Sequence, residues 1–123
     1  MSKRRKKGSN RIAPIQKKLT GIEKASVVMN ELSLVLSDSQ TVVPSAGKVY
    51  VFSYIAVKPN LLTDRYPVVQ VTGVYKWGFS GINLHIQEPR NYNYSGRQTP
   101  LYLVKSNEVA PLLSLPLMKL YQN

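Results

Sequence analysis

The sequence predicts a mainly β protein: a small SH3-like barrel or five-stranded β-domain, preceded by a helix and a basic disordered arm. Three observations point there. The chain has 123 residues, enough for one small domain. It carries 17 Lys and Arg against 6 Asp and Glu, a net +11, but nine of the cations and one of the acids lie in residues 1–24, so that stretch holds +8 and residues 25–123 only +3. All eleven aromatic residues lie at or beyond Tyr50, and from there apolar residues recur with the period of two expected of strands. The division is therefore an arm (1–20), an amphipathic helix with a linker (21–46) and a β-domain (47–123).

Residues 1–18 hold Lys3, Arg4, Arg5, Lys6, Lys7, Arg11, Lys17 and Lys18, interrupted by Gly8 and Pro14 and without an aromatic residue. Such a composition buries too little apolar surface to offset its ordering entropy. These eight cations are the candidate contacts to nucleic acid or another anionic partner; a solvated solubility tail is the plainer alternative. Thr20-Gly-Ile-Glu23 has the form of a capping box, and Ile22, Ala25, Met29, Leu32 and Leu36 follow at helical spacing. Leu32, Leu34 and Leu36 also alternate, so residues 30–37 read as helix or as strand. Thr41–Gly47 is turn-rich.

Lys48–Val57 reads as a strand with Tyr50, Phe52 and Tyr54 on one side and Val49, Val51, Ile55 and Val57 on the other. Both sides are apolar, which calls for cover on both faces, one of them a candidate interface. Lys58–Pro67 is a loop between two prolines. Val68–Trp77 alternates, with Gly73 marking a bulge or bend, and pairs as a hairpin with Phe79–Ile86. Glu88–Pro100 has no period and reads as an exposed loop; its Arg90, Tyr92, Tyr94 and Arg97 are candidate protein-interface residues because interfaces favour Tyr and Arg. Leu101–Val104 and Leu115–Tyr121 complete the strands around a turn or single helical turn at Ser106–Leu112.

The absence of cysteine excludes disulfides, thiolate catalysis and Cys-ligated metals. His85 is the only histidine and the carboxylates are scattered, so no metal or cofactor is expected. His85, between Leu84 and Ile86, reads as a strand residue on the face opposite those two. Gly78-Phe-Ser-Gly81 lacks the Gly-x-Ser-x-Gly of a nucleophile elbow, and Gly73, Gly78 and Gly81 make no phosphate loop. No apolar run reaches the roughly 20 residues of a membrane span, and the basic start lacks the apolar core of a signal peptide. The Tyr50, Phe52, Tyr54 stripe could stack on bases, but the Val, Ser and Ile between them favour core packing.

From Gly47 onward the chain resembles a family of small structural proteins of T4-like and related marine tailed bacteriophages. The residues that carry the resemblance are Gly47-Lys-Val-Tyr-Val-Phe-Ser-Tyr54, Asp64-Arg-Tyr-Pro67, Val68-Val-Gln-Val71, Gly78-Phe-Ser-Gly-Ile-Asn-Leu-His85 and the ending Asn107–Tyr121. Two departures are Ile86, where the family has an aromatic residue, and a shorter segment from Gln87 to Pro100. The resemblance implies a component of the tail, baseplate or head–tail region of the virion, without catalytic activity or small-molecule substrate, with other virion proteins as partners and DNA as a further candidate for the arm. The rival expectation is a nucleic-acid-binding protein, either shielding DNA ends or of ribosomal type, anchored by the arm. An enzyme is a distant third class, for which only His85 offers a starting point.

Overall fold

A computed structural model describes residues 11–18, 25–55, 65–115 and 117. The protein is mainly β. Strands β1 (Gln40–Thr41), β2 (Val49–Val51), β3 (Val68–Val74), β4 (Gly78–Asn83), β5 (Glu88–Asn93) and β6 (Leu101–Val104) form one antiparallel sheet in the order β1-β6-β2-β3-β4-β5. Helices α1 (Ala13–Lys18), α2 (Ala25–Val35) and α3 (Ser106–Leu113) accompany it. The sheet is open, since β1 and β5 stand at its ends and do not pair, so the expected barrel is not closed.

The two apolar sides of β2 are explained within the chain itself. Tyr50 lies opposite Val69 and Leu103, and Val51 opposite Val68 and Tyr102; facing residues of paired strands share a side. One side gathers Tyr50, Phe52, Tyr54, Val69, Val71, Phe79, Tyr92 and Leu101 into an aromatic core. The other gathers Val51, Val68, Tyr102 and Val104 beneath Ile12, Ile15, Val28, Met29, Leu32, Leu36 and Leu112 from the helices. The sheet thus divides two cores. In the aromatic one, the Phe52 ring meets Tyr54, Phe79 and Tyr92 edge-on at 6.1, 5.6 and 5.5 Å, the arrangement that ring quadrupoles favour.

The β3–β4 hairpin forms as expected, with Tyr75 N–H donating to Gly78 O at 2.8 Å across the turn and a register shift between Val71 and Gly73. Residues 25–35 are helix, so helical spacing wins over alternation, and Ala25, Met29, Leu32 and Leu36 are buried as their spacing requires. Ile22 and the Thr20–Glu23 box lie outside the described residues, as do Val57, most of the 58–67 loop and most of the last expected strand; Leu115 and Leu117 are buried.

Several expectations change. The strand expected at 48–57 pairs regularly only over Val49–Val51; beyond it the chain continues through the isolated Tyr54–Arg97 bridge. Glu88–Asn93 is a strand and not a loop, because a sheet-end strand whose one buried side chain is Tyr92 shows no alternation. Residues 84–87 form a turn with Gln87 at φ 57°, so His85 is a turn residue. Ser106–Leu113 is a helix of eight residues. Most consequentially, residues 11–18 are not a disordered tail: Ile12 and Ile15 are buried among the helices, and Gln16 donates to Ser114 Oγ at 2.7 Å, tying α1 to the end of α3.

The Gly78–His85 block is explained by strand contacts. A Cβ on Gly78 would lie 1.9 Å from the Tyr92 carbonyl oxygen, and one on Gly81 2.4 Å from Val69 and 2.6 Å from Gln70 O. Phe79 stacks on Tyr92 at 5.6 Å. Asn83, fully buried, accepts the His85 N–H at 3.0 Å and lies 3.4 Å from the Tyr92 hydroxyl. Gly78→Ala is expected to cost more than about 3 kcal/mol, since β4 and β5 must separate. Gly47→Ala is expected to cost only about 1–2 kcal/mol for its φ of +89°, with no atom near the new methyl. Urea midpoints of the two variants check the order; equal losses would show that β5 yields freely.

Candidate interaction surfaces

The residues expected to meet partners fall into two places, and the structure adds a third. The first is the start of the described chain. Arg11 and Glu108 form a bidentate pair: Nε donates to Oε2 and Nη2 to Oε1, each at 2.8 Å, and the Arg11 backbone N–H donates to Oε2 at 3.0 Å. The guanidinium also reaches Ser39 Oγ at 2.8 Å, Asp38 Oδ1 at 3.1 Å and Leu103 O at 3.3 Å. Glu108 accepts the Lys105 N–H at 2.9 Å, reaching back to the residue that opens α3. Burial pushes the Glu108 carboxyl up, but the Arg11 bonds and the two backbone N–H groups outweigh it and hold the pKa below its ordinary value. The same hydrogen bond raises the Arg11 pKa against the opposing effect of burial.

Arg11 therefore serves as an internal latch, and its charge faces the chain's own carboxylates and not an external anion. Lys17 is exposed on α1 and Lys18 ends that helix. Lys3, Arg4, Arg5, Lys6 and Lys7 lie outside the described residues, immediately before the latch.

The second place is β5 and the 3-10 turn that follows it at Tyr94–Gly96. Tyr92 is fully buried under Phe52, Tyr54 and Phe79, so it belongs to the core and offers nothing to a partner. Arg90 pairs with Glu88 at 3.0 Å. Tyr94 is half-buried beside Phe79, at 6.2 Å, and Arg97 is half-buried, donating to Thr99 O at 3.3 Å. These four residues share one strand and turn without converging on a pocket.

The third place was not singled out by its sequence. Tyr75 and Trp77 stand half-exposed at the β3–β4 turn with rings stacked at 5.2 Å and 8°. Alternation marks which residues share a side but says nothing of turns; the one available signal was two aromatic residues flanking a lysine at a hairpin tip.

A cleft of about 680 Å³ runs between Lys48–Val49, Gln70, Leu84, Leu103 and Lys105, and two lysines but no carboxylate or histidine line it. His85 is half-buried in its turn, neither ring nitrogen has a hydrogen-bond partner among the described residues, and burial pushes its pKa down. Among the described residues no three His, Cys, Asp or Glu side chains gather as a metal site, and no helix is long and apolar enough to cross a membrane. The class these features define is a mainly β protein with an open, six-stranded antiparallel sheet between an aromatic and a helix-covered core. No protein-family model, curated protein or solved structure matches the chain.

Removing one partner of a buried pair costs about 3–5 kcal/mol. In Glu108→Gln the peptide bond after Arg11 is expected to become a rapid trypsin site, whereas the native chain resists cleavage there; equal rates would show that the pair does not hold this segment. Acid should act in two steps. His85 has a lowered folded pKa, so the unfolded state binds the proton first and stability falls as pH drops below about 6.5. Glu108 also has a lowered folded pKa, so its contribution is present above the unfolded carboxyl value and is lost as pH falls through about 4 and below. Urea midpoints of the native chain and of His85→Gln test this: the variant should lose the first step and keep the second.

Proposed function

We propose that the protein is a bacteriophage virion structural component, an assembly module of the tail, baseplate or head–tail region. Its basic N-terminal segment orders against neighbouring subunits or DNA. The observation that carries the reading is the Arg11–Glu108 latch. It fixes the point from which Lys3–Lys7 depart, so a run of five cations is tethered to a folded body at a defined place. The resemblance through Gly47–Tyr54 and Gly78–His85 supports the same reading, and the strand contacts made by Gly78, Phe79, Gly81 and Asn83 support a structural role for that block. Nothing in this reading requires catalysis, a cofactor or a membrane.

The strand succession also supports the SH3-like part of the fold. Strands β2, β3, β4 and β5 run as a meander, and β6 returns beside β2 after the 3-10 turn. This is the order of a small barrel of that type, with β1 added at the outer edge of β6.

Anchoring to nucleic acid through the arm is the second reading, favoured by the cation run itself. With Arg11 engaged internally, Lys3, Arg4, Arg5, Lys6, Lys7, Lys17 and Lys18 remain. Seven phosphate contacts would give a logarithmic salt slope of about −6 and no sequence preference.

Peptides of this chain are expected in density-purified phage particles, in the tail or neck fraction, and protected from added protease until the particles are disrupted. Their absence from purified particles would overturn the assembly reading. Duplex retardation that is steep in salt and lost when residues 1–10 are removed would then favour the second.

A further inference from the structure

The tip of the β3–β4 hairpin is built in a way that the two cores do not require. Core aromatic residues of this chain are almost wholly buried, yet Tyr75 is 50% and Trp77 45% exposed. Their rings are parallel within 8° with centroids 5.2 Å apart, and each residue keeps about half of its surface in water. Tyr75 is held there by its own strand: its ring folds back over Gly73, where a Cβ would sit 2.4 Å from the phenolic oxygen and 2.9 Å from the carbon that bears it. Trp77 is fixed by its backbone, whose carbonyl accepts the Tyr94 N–H at 3.0 Å. A half-exposed aromatic pair with a glycine cleared beneath one ring is a positioned platform and not a loose loop.

The hairpin's own charge has one sign. Lys76, exposed, stands between Tyr75 and Trp77 in the chain, and Arg97 follows the 3-10 turn whose first residue, Tyr94, bonds Trp77. From Arg65 to Gln87 and from Pro89 to Asn107 the sequence has no carboxylate. A half-exposed aromatic pair flanking a cation, on a hairpin whose own residues from Val68 to Asn83 include no carboxylate, matches a nucleotide, whose base offers a π-face and whose phosphate a negative charge. An acidic peptide would use the cations and leave the stack idle.

We propose that the hairpin tip stacks an unpaired base of a single-stranded nucleic acid on Tyr75 and Trp77, with Lys76 at the adjoining phosphate. This site is separate from the basic arm and does not depend on the assembly reading. It binds without sequence preference, because every base has a π-face. It also differs from the arm in kind: the arm responds to phosphates, whereas the tip requires a base.

Trp77 is the chain's only tryptophan, so its emission reports the tip alone. The full chain is titrated with a thymidine oligonucleotide and with an abasic oligomer of equal length, at about 0.3 M salt so that phosphate contacts of the arm are weakened. The thymidine strand is expected to quench Trp77 and to bind about tenfold tighter than the abasic strand. Tyr75→Ala, a change at an exposed ring, and Gly73→Ala, which displaces that ring without removing it, should each erase most of this difference and leave abasic binding unchanged. Equal affinity for the two strands, or base-dependent binding unaltered in Tyr75→Ala, overturns the proposal. So does emission unmoved by either strand, the result expected if a protein neighbour occupies the tip. Incorporation into particles is scored separately and moves with none of these outcomes.

Discussion

A fully buried carboxylate has to be compensated, and in this protein the compensation for Glu108 draws four parts of the chain together. Desolvating an unpaired carboxylate costs several kcal/mol. Glu108 is relieved by the backbone N–H that opens α3, by the guanidinium of Arg11 and by the Arg11 N–H. The same guanidinium bridges to Leu103 O at the end of β6 and to Asp38 and Ser39 just before β1. One cation therefore sets the approach of the N-terminal segment, the helical layer and the outer edge of the sheet. Ile12 and Ile15 reach the helical core because the residue before them is pinned.

The sheet places a second constraint on the chain. With a core on each side, β2 and β6 must be apolar in both phases, as Val49–Val51 and Leu101–Val104 are. The aromatic core is filled by large rings, and rings at this density need strands that approach closely. Gly78 and Gly81 allow it, since side chains there would meet the β5 backbone and the β3 strand. Their spacing around Phe79 follows from where the rings sit, and no catalytic turn need be invoked for it.

Much of this was legible where one local pattern dominates. The β3–β4 hairpin, its irregularity near Gly73, the helix as far as Met29 and strand Leu101–Val104 all follow from spacing, whereas residues 30–37 fitted helix and strand alike. The rest was hidden for identifiable reasons. Composition averaged over residues 1–18 obscured two isoleucines three apart, and a charge count treats every cation as facing water, so Arg11 passed for part of the arm. Glu88–Asn93 is polar because it ends the sheet, and it reads as a loop for the same reason. Tyr92 shared the look of a surface tyrosine with Tyr94, two residues away in the same segment; only pairing with Phe79 separates them. Alternation grouped Tyr50, Phe52 and Tyr54 correctly and called for cover on both sides of their strand, but left open whether a partner supplies one of them.

That last point bears on where function resides. Had nucleic-acid binding been judged from the aromatic stripe of β2, burial of that stripe would have closed the question for the whole domain. The exposed pair at Tyr75 and Trp77 reopens it at a turn, where the two cores impose no requirement. A tethered basic segment and a stacking tip on one small body would act together on any strand long enough to reach both. The second contact is then intramolecular, so two individually weak sites could retain a strand that neither would hold alone. The arm's share would fall steeply in salt, whereas the tip's share, with Lys76 as its one phosphate contact, would fall far less. The two contributions are therefore separable in one chain, and an assembly module could carry both without any pocket in its folded body.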